Sequence, residues 1–189
     1  MSLGDAPERG QAALRAMAHP VRLQIMSLLT GASLTAAEVA RELNLTHANA
    51  SYHLRSLLAA DVIVLAGEEK IRGGIAKRYR YDAAHDIAHQ QDDGPHTDEQ
   101  YRSMFVGFAN ELIRRSAEAS FGRHHATFLA DAEVWVDPDT WTAIRDRIGD
   151  AARDLHDAAQ PPRTPGTIRT STTLALFAMQ QPETPGETA

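Results

Sequence analysis

Two helix-start signals lie close together, at Thr35 and Thr46, and they constrain the fold more than any other feature of the sequence. The segment "TAAE", residues 35–38, has the form of a capping box, in which a threonine and a glutamate bond to each other's backbone N–H groups. Asn44 suits the left-handed conformation that ends a helix, and Thr46 suits the N-cap of the next helix. Two short helices joined by so tight a turn predict a helix-turn-helix.

The second helix of this pair has a buried side and a polar side. The spacing of a buried helical stripe is followed by Ala50, Leu54, Leu57 and Leu58. A helix fits the major groove of DNA, and short polar side chains at its N-terminal end can reach base edges. Among the outward residues, His47, Asn49 and Ser51 suit base edges, and Arg55 suits either guanine or a phosphate.

A β-hairpin is predicted directly after this helix. The segments "VIVLA", 62–66, and "IAKRYRY", 75–81, have the composition of strands, and Gly73-Gly74 predicts a two-residue turn between them. Residues 70–80 contain five basic residues and no acidic one. A basic hairpin can neutralise phosphates while the helix reads bases. The candidate phosphate contacts are Lys70, Arg72, Lys77 and Arg78, with Arg72 and Lys77 favoured because they lie near the tip.

The net charge of −6 does not contradict DNA binding, because charge acts within about a Debye length, ~8–10 Å. Residues 1–82 hold 10 basic and 8 acidic residues, whereas residues 83–189 hold 9 and 17. The positive charge is therefore local, and it follows the second helix of the pair.

Helices are also predicted on either side of this unit. A first helix covers about 7–18 and ends before Pro20, which starts a second helix that stops near Gly31. After a polar linker, 83–96, a capping box at Thr97 starts a longer helix. Its apolar stripe needs a partner, and a two-fold dimer would also place two recognition helices about one DNA turn apart, ~34 Å. The predicted dimer contacts are Tyr101, Met104, Phe105, Phe108 and Leu112.

The last third of the chain predicts a helix between two strands. Residues 133–136, "EVWV", and residues 167–179 have strand composition, and Asp137-Pro138 opens the helix with N-cap and N1 residues in order. Trp141, Ile144, Ile148 and Leu155 are predicted to line its inner face. The tail, 181–189, is predicted to be disordered. The fold class expected is α+β, with a winged helix-turn-helix at 1–82 and a helix-rich dimerisation region with a few strands at 97–180.

The segments "AMAHPVRLQIMSLL", "TAAEVARELNLTHANASYHLRSLLAADVIV" and "RGGIAKRYRY" resemble the ArsR-type winged-helix transcriptional regulators. The resemblance covers about residues 12–81. It implies a homodimeric regulator, commonly a repressor, that leaves its operator when a small-molecule effector binds. It also implies that DNA faces the positions of Thr46, His47, Ala48, Ser51, Tyr52 and Arg55, although Ala48 and Tyr52 depart from the residues common there.

Metal sensing is an open alternative that rests on histidine. The chain has no cysteine, which excludes thiolate sites and disulfides. His85 and His89 are four residues apart, with Asp86 and His96 nearby, and His124-His125 is a second candidate for Zn or Ni. His19 and His53 are predicted to be structural.

Other functions have less support in the sequence. No catalytic motif or phosphate loop is present, so neither an enzyme nor a cofactor is predicted. A winged helix that docks protein through its wing is the main alternative to DNA binding. Trp135, Trp141 and Phe177 are candidates for an apolar effector pocket, with core packing as the alternative use. No apolar run approaches the roughly 18 residues of a membrane span, and the N-terminus lacks the pattern of a signal peptide, so a cytoplasmic protein is expected.

Overall fold

The computed structural model describes residues 13–72, 74–81, 98–121 and 127–180. Residues 13–17 form helix α1. Next come α2 (Pro20–Thr30), β1 (Leu34–Thr35), α3 (Ala36–Glu42), α4 (His47–Ala59), β2 (Ile63–Ile71) and β3 (Gly74–Tyr81). Two longer helices follow, α5 (Asp98–Ala117) and α6 (Pro138–Asp157). The strands form one antiparallel sheet in the order β1-β3-β2. The predicted class, mixed helix and strand with an N-terminal winged helix-turn-helix and a helical C-terminal region, is confirmed.

The local signals around the turn act as predicted. The Thr35 hydroxyl accepts from the backbone N–H of Glu38 at 3.3 Å, and the Glu38 carboxylate accepts from the N–H of Thr35 at 2.7 Å. Asn44 adopts a φ of 52°, in the left-handed region, and the Thr46 hydroxyl caps α4 by accepting from the N–H of Asn49. α3 and α4 therefore form the predicted helix-turn-helix.

The hairpin of β2 and β3 turns one residue earlier than predicted. Ile71 pairs with Gly74, so Arg72 lies in the turn and Gly74 belongs to β3. The register is set at the other end, where buried Ile63 pairs with Tyr81, and a bulge between Leu65 and Gly67 then shifts it. Gly67 has a φ of +153°, which side chains rarely adopt. β1, which pairs with β3, was not predicted, because two residues give no sequence pattern.

One hydrophobic core holds the helix-turn-helix against the sheet. Its largest fully buried side chains come from α2, α3, α4 and the start of β2, and they are Ile25, Leu29, Val39, Leu54, Leu57 and Ile63. The apolar faces of three helices and one strand therefore converge on one layer, which keeps the opposite face of α4 turned outward.

Helix α5 packs on this unit. Met104 and Phe108 pack against the hydrophobic core, and Gly107 approaches the Ala18 carbonyl so closely that a Cβ would lie 3.0 Å from its oxygen. Glu111 is 3% exposed and accepts hydrogen bonds from Gln24 of α2 and from Arg114 and Arg115. The capping box predicted at Thr97 and the linker at 83–96 lie outside the described residues, as does the tail at 181–189.

The C-terminal region departs most from the prediction. The N-cap is confirmed, since Asp137 accepts from the N–H of Thr140 at 2.9 Å with Pro138 beginning α6. The strands expected at 133–136 and 167–179 are wrong, because these residues pair with no part of the chain that the structure describes. A strand forms only against a partner, which composition alone does not supply. The inner face predicted for α6 is also wrong, because no residue of this helix is buried.

Candidate nucleic-acid interface

The outward surface of α4 collects most of the side chains predicted to face DNA. Ala50, His53, Leu54 and Leu57 are buried and fix the helix. Around them, Thr46, His47, Ala48, Asn49, Tyr52 and Arg55 are exposed, and Ser51 is half-buried. Arg55 is the one residue with a permanent charge in this set. The surface can therefore offer hydrogen-bond donors and acceptors to base edges, but little charge to phosphates.

The Tyr52 ring contacts buried His53, which in turn packs against half-buried His19. His53 is 5% exposed, its ring centroid lies 4.8 Å from that of His19, and the Tyr52 ring meets it edge-on at 5.3 Å. Burial, followed by the positive charge of Arg22, lowers the pKa of His19, and burial also lowers the pKa of His53. The two rings pack against each other, and the structural role expected for them from the sequence stays a prediction.

The wing formed by β2 and β3 places its cations unevenly. Lys70, Arg72 and Lys77 are exposed, and Arg72 lies in the turn at the tip. Glu68 is opposite Lys77 in the ladder, and Glu69 follows it on the same strand. The sequence interpretation missed this acidic pair because the turn was predicted at Gly73-Gly74. A turn one residue earlier would have revealed that Glu68 opposes Lys77.

Arg78 is engaged within the protein. Its guanidinium donates to the carboxylate of Glu69 and to both the hydroxyl and carbonyl of Ser33, and it lies 3.4 Å from a Glu38 oxygen. It therefore ties β3 to the segment before β1 and to α3. A phosphate contact by Arg78 would have to compete with two carboxylates, so this residue is better suited to orienting the wing than to binding DNA.

The predicted dimer residues of α5 separate into two groups. Met104 and Phe108 pack on the core of their own chain, and the Phe105 ring lies 5.2 Å from that of Phe177. Tyr101 and Leu112 remain exposed. Met104 and Phe108 of the stripe thus pack within the chain, whereas Leu112 is exposed.

The other candidate sites gain little from the structure. His85, His89, His96 and His124-His125 lie outside the described residues. Within the part of the chain that the structure describes, no group of three or more histidine, aspartate or glutamate side chains could hold a metal. Trp135 is 79% exposed and Phe177 is also exposed, so neither encloses a pocket. No helix in the described ranges is long and apolar enough to cross a bilayer.

Comparison with known protein families gives a match that covers this surface. Residues 17–66 match the family model of a helix-turn-helix domain, a span that begins within α1 and ends in β2. No curated protein matches the chain. The matched residues include the whole of α3 and α4 and the turn between them. The chain thus contains a helix-turn-helix domain, and its function is of the DNA-binding transcription-regulator kind.

Proposed function

We propose that the protein is a homodimeric repressor of the ArsR type, in which α4 enters the major groove of an operator and the wing binds the adjacent backbone. One observation carries this proposal. The exposed side of α4 presents short polar side chains from Thr46 to Arg55, and an exposed arginine, Arg72, lies at the tip of the adjacent hairpin. Base reading and phosphate binding are thereby divided between two elements.

The division also accounts for how an acidic protein would hold DNA. Affinity for duplex DNA comes largely from phosphate neutralisation, which α4 is too weakly charged to supply. Lys70, Arg72 and Lys77 can supply it, whereas Arg78 is already shared between Glu38 and Glu69. The dimer is supported by Leu112, which leaves apolar surface exposed on α5. An effector that releases the operator rests on the family resemblance.

Selection of fragments from the host genome, followed by titration of bound fragments at rising salt, tests the proposal. We expect a subset of fragments to bind and their affinity to fall steeply as salt increases, because bound phosphates release counterions. A failure to retain any fragment, or an affinity independent of salt, would overturn DNA binding by this surface.

A protein-docking wing is the second candidate, and one observation favours it. Ile71 and Ile75 are exposed on the two strands beside the tip, where phosphate binding gives them no use. Ile75→Ser separates the two functions. It should leave salt-dependent DNA binding intact if the wing grips the backbone, and it should abolish capture of a protein partner if the wing docks protein.

A further inference from the structure

Two segments in the C-terminal region have main chains that form no hydrogen bond with the backbone of the described residues. Residues 127–136 and 168–180 contain no helix, turn or strand. Within the described ranges, their backbone N–H and C=O groups make no hydrogen bond to other backbone groups. They border α6, which has no buried residue. A region of this length without paired backbone or buried side chains does not form a stable unit by itself.

The residue types of both segments favour β-strands. Residues 167–173, "TIRTSTT", are rich in β-branched side chains, and residues 133–136 are "EVWV". Such residues suit a pleated, half-buried surface, where each side of the strand packs against a different layer. This composition favours pairing with another strand, and no described residue of the chain pairs with these segments.

Several large apolar side chains of these segments are exposed, although Phe177 contacts Phe105 of α5 and Arg169 pairs with Glu118. Phe128 is 89% exposed, and Trp135, Ile168 and Met179 are also exposed. Exposed large apolar side chains in such number suit an interaction site. An occupant that satisfies both the apolar side chains and the unpaired main chain has to present a strand edge, because a helix offers no free backbone groups along its length.

Residues 168–180 lie beside helix α6. Thr172 and Leu174 face Ile144, Ile148 and Leu155 of α6 across an open groove of about 520 Å³. A strand on a helix is half of a two-layer arrangement. What the layer lacks is a neighbouring strand at its edge.

We propose that residues 168–179 pair as a β-strand with residues 128–136 of a second copy, and that the reciprocal pair forms on the other side of a two-fold axis. This inference rests on the proposed homodimer and specifies how its subunits are joined. The two segments are of similar length, and an isologous interface uses each of them once in each subunit. Their charges do not oppose the pairing, because residues 128–136 carry Asp131 and Glu133, whereas residues 168–179 carry no acidic residue. The one cation of the second segment, Arg169, also pairs with Glu118 of its own chain at 2.8 Å. Within the described residues of one chain the two segments do not pair, and a second copy carries both of them, so it can supply both reciprocal pairs.

The absence of cysteine makes the pairing directly testable by disulfide cross-linking. A full-length Val134→Cys chain is mixed with chains that carry one cysteine at each position from 168 to 179 in turn, and the mixtures are oxidised without DNA. We expect the cross-linked dimer of unlike chains to rise from background to the main product at one position, with weaker yields two residues away on either side. The matched control is Arg145→Cys, an exposed position on α6 outside the proposed pair.

Proline substitution gives a second readout. Successive N–H groups of a strand point to opposite sides, so Thr172→Pro or Thr173→Pro must remove a donor from the ladder. At least one of these variants should raise the dimer dissociation constant about tenfold or more in sedimentation, while Thr172→Ala and Thr173→Ala leave it unchanged.

The outcomes separate this inference from the proposed function. Uniform background cross-linking at all positions, or proline variants that dimerise as the alanine variants do, would disprove the strand exchange and leave a dimer through α5. A wild-type chain that sediments as a monomer would refute both the exchange and the homodimer. Binding of operator DNA is measured separately, by the salt titration, and neither result would alter it.

Discussion

At the scale of single residues, the partners of a cation decide what it can do. Arg78 and Arg72 are both in the basic hairpin, but Arg78 is bound to Ser33, Glu38 and Glu69. Arg72 makes no hydrogen bond or ion pair with the residues that the structure describes, and it lies at the turn. The charge available to a phosphate therefore lies on Arg72 and its exposed neighbours. The sequence already favoured Arg72 and Lys77 but gave no sign that Arg78 is engaged within the protein.

Arg72→Ala should weaken binding to every DNA sequence and lower the slope of log affinity against log salt by about one, because one phosphate contact is lost. Fluorescence anisotropy at several salt concentrations measures both quantities. Arg145→Ala is the matched control, since Arg145 is exposed on α6, away from the wing. A slope equal to that of the wild type would remove Arg72 from the phosphate contacts.

His47→Ala and Tyr52→Ala should instead change the preference among operators. Each side chain is exposed on α4, and a base contact contributes about 1–3 kcal/mol of discrimination at one position. Competition between operator variants measures the change, with Arg72→Ala as the comparison that weakens all sites. If the two α4 variants also weakened all operators equally, neither side chain would be reading bases.

At the scale of elements, helix α5 packs partly against the N-terminal core. α5 contacts the turn before α2 through the close approach of Gly107 to Ala18, and it contacts α2 itself through the hydrogen bond from Gln24 to Glu111. Burial raises the pKa of the Glu111 carboxyl, but hydrogen bonds from Arg114, Arg115 and Gln24 outweigh it and lower the pKa below its usual value. The Glu111 carboxylate therefore remains charged at neutral pH, where it is buried between α5 and α2.

Gly107→Ala and Gly149→Ala should change stability in opposite directions. Alanine is favoured over glycine inside a helix by about 1 kcal/mol. At Gly107 the added Cβ meets the Ala18 backbone at 3.0 Å, so overpacking should cost about 1–3 kcal/mol and outweigh that gain. At Gly149 the nearest atom is on the Arg153 side chain at 3.7 Å, so the gain should remain.

Urea unfolding of both variants measures the free energies directly. A stabilised Gly107→Ala protein would mean that α5 does not pack closely against Ala18 in solution. Gly149→Ala serves as the control, because it introduces the same methyl group into a helix without a backbone neighbour.

At the scale of the whole molecule, the free energy of unfolding should depend on pH through half-buried His19 and buried His53. The folded pKa of His19 and that of His53 are lowered from 6.5, so the unfolded chain binds protons more readily than the folded chain. The stabilisation is therefore complete above pH 6.5 and is lost as pH falls from 6.5 through the lowered folded pKa values. The groups that face these rings are Arg22, Tyr52 and the two histidines themselves.

The free energy of unfolding should fall as the pH decreases from about 7.5 to about 5, a range that spans the ordinary histidine pKa of 6.5. His53→Gln should make the free energy of unfolding depend less on pH. This interval lies above the region where Glu111 begins to take up protons, since its pKa is also lowered. A wild-type curve that is level through pH 6 would contradict the burial of neutral histidines beneath α4.

The amino-acid sequence by itself determined the features that depend on neighbouring residues. The caps at Thr35, Thr46 and Asp137 and the left-handed Asn44 are set by hydrogen bonds within about one helical turn, and the buried stripe of α4 follows from helical geometry. Only the tertiary structure decided the features that need a distant partner. The buried Ile63 fixes the register of the hairpin, and Ser33 and Glu38 bind the Arg78 guanidinium. Met104 and Phe108 of α5 pack against the hydrophobic core. Strand composition at 133–136 and 167–179 produced no strand within the chain, because a ladder needs a second main chain beside it, and no local pattern encodes where that main chain will be.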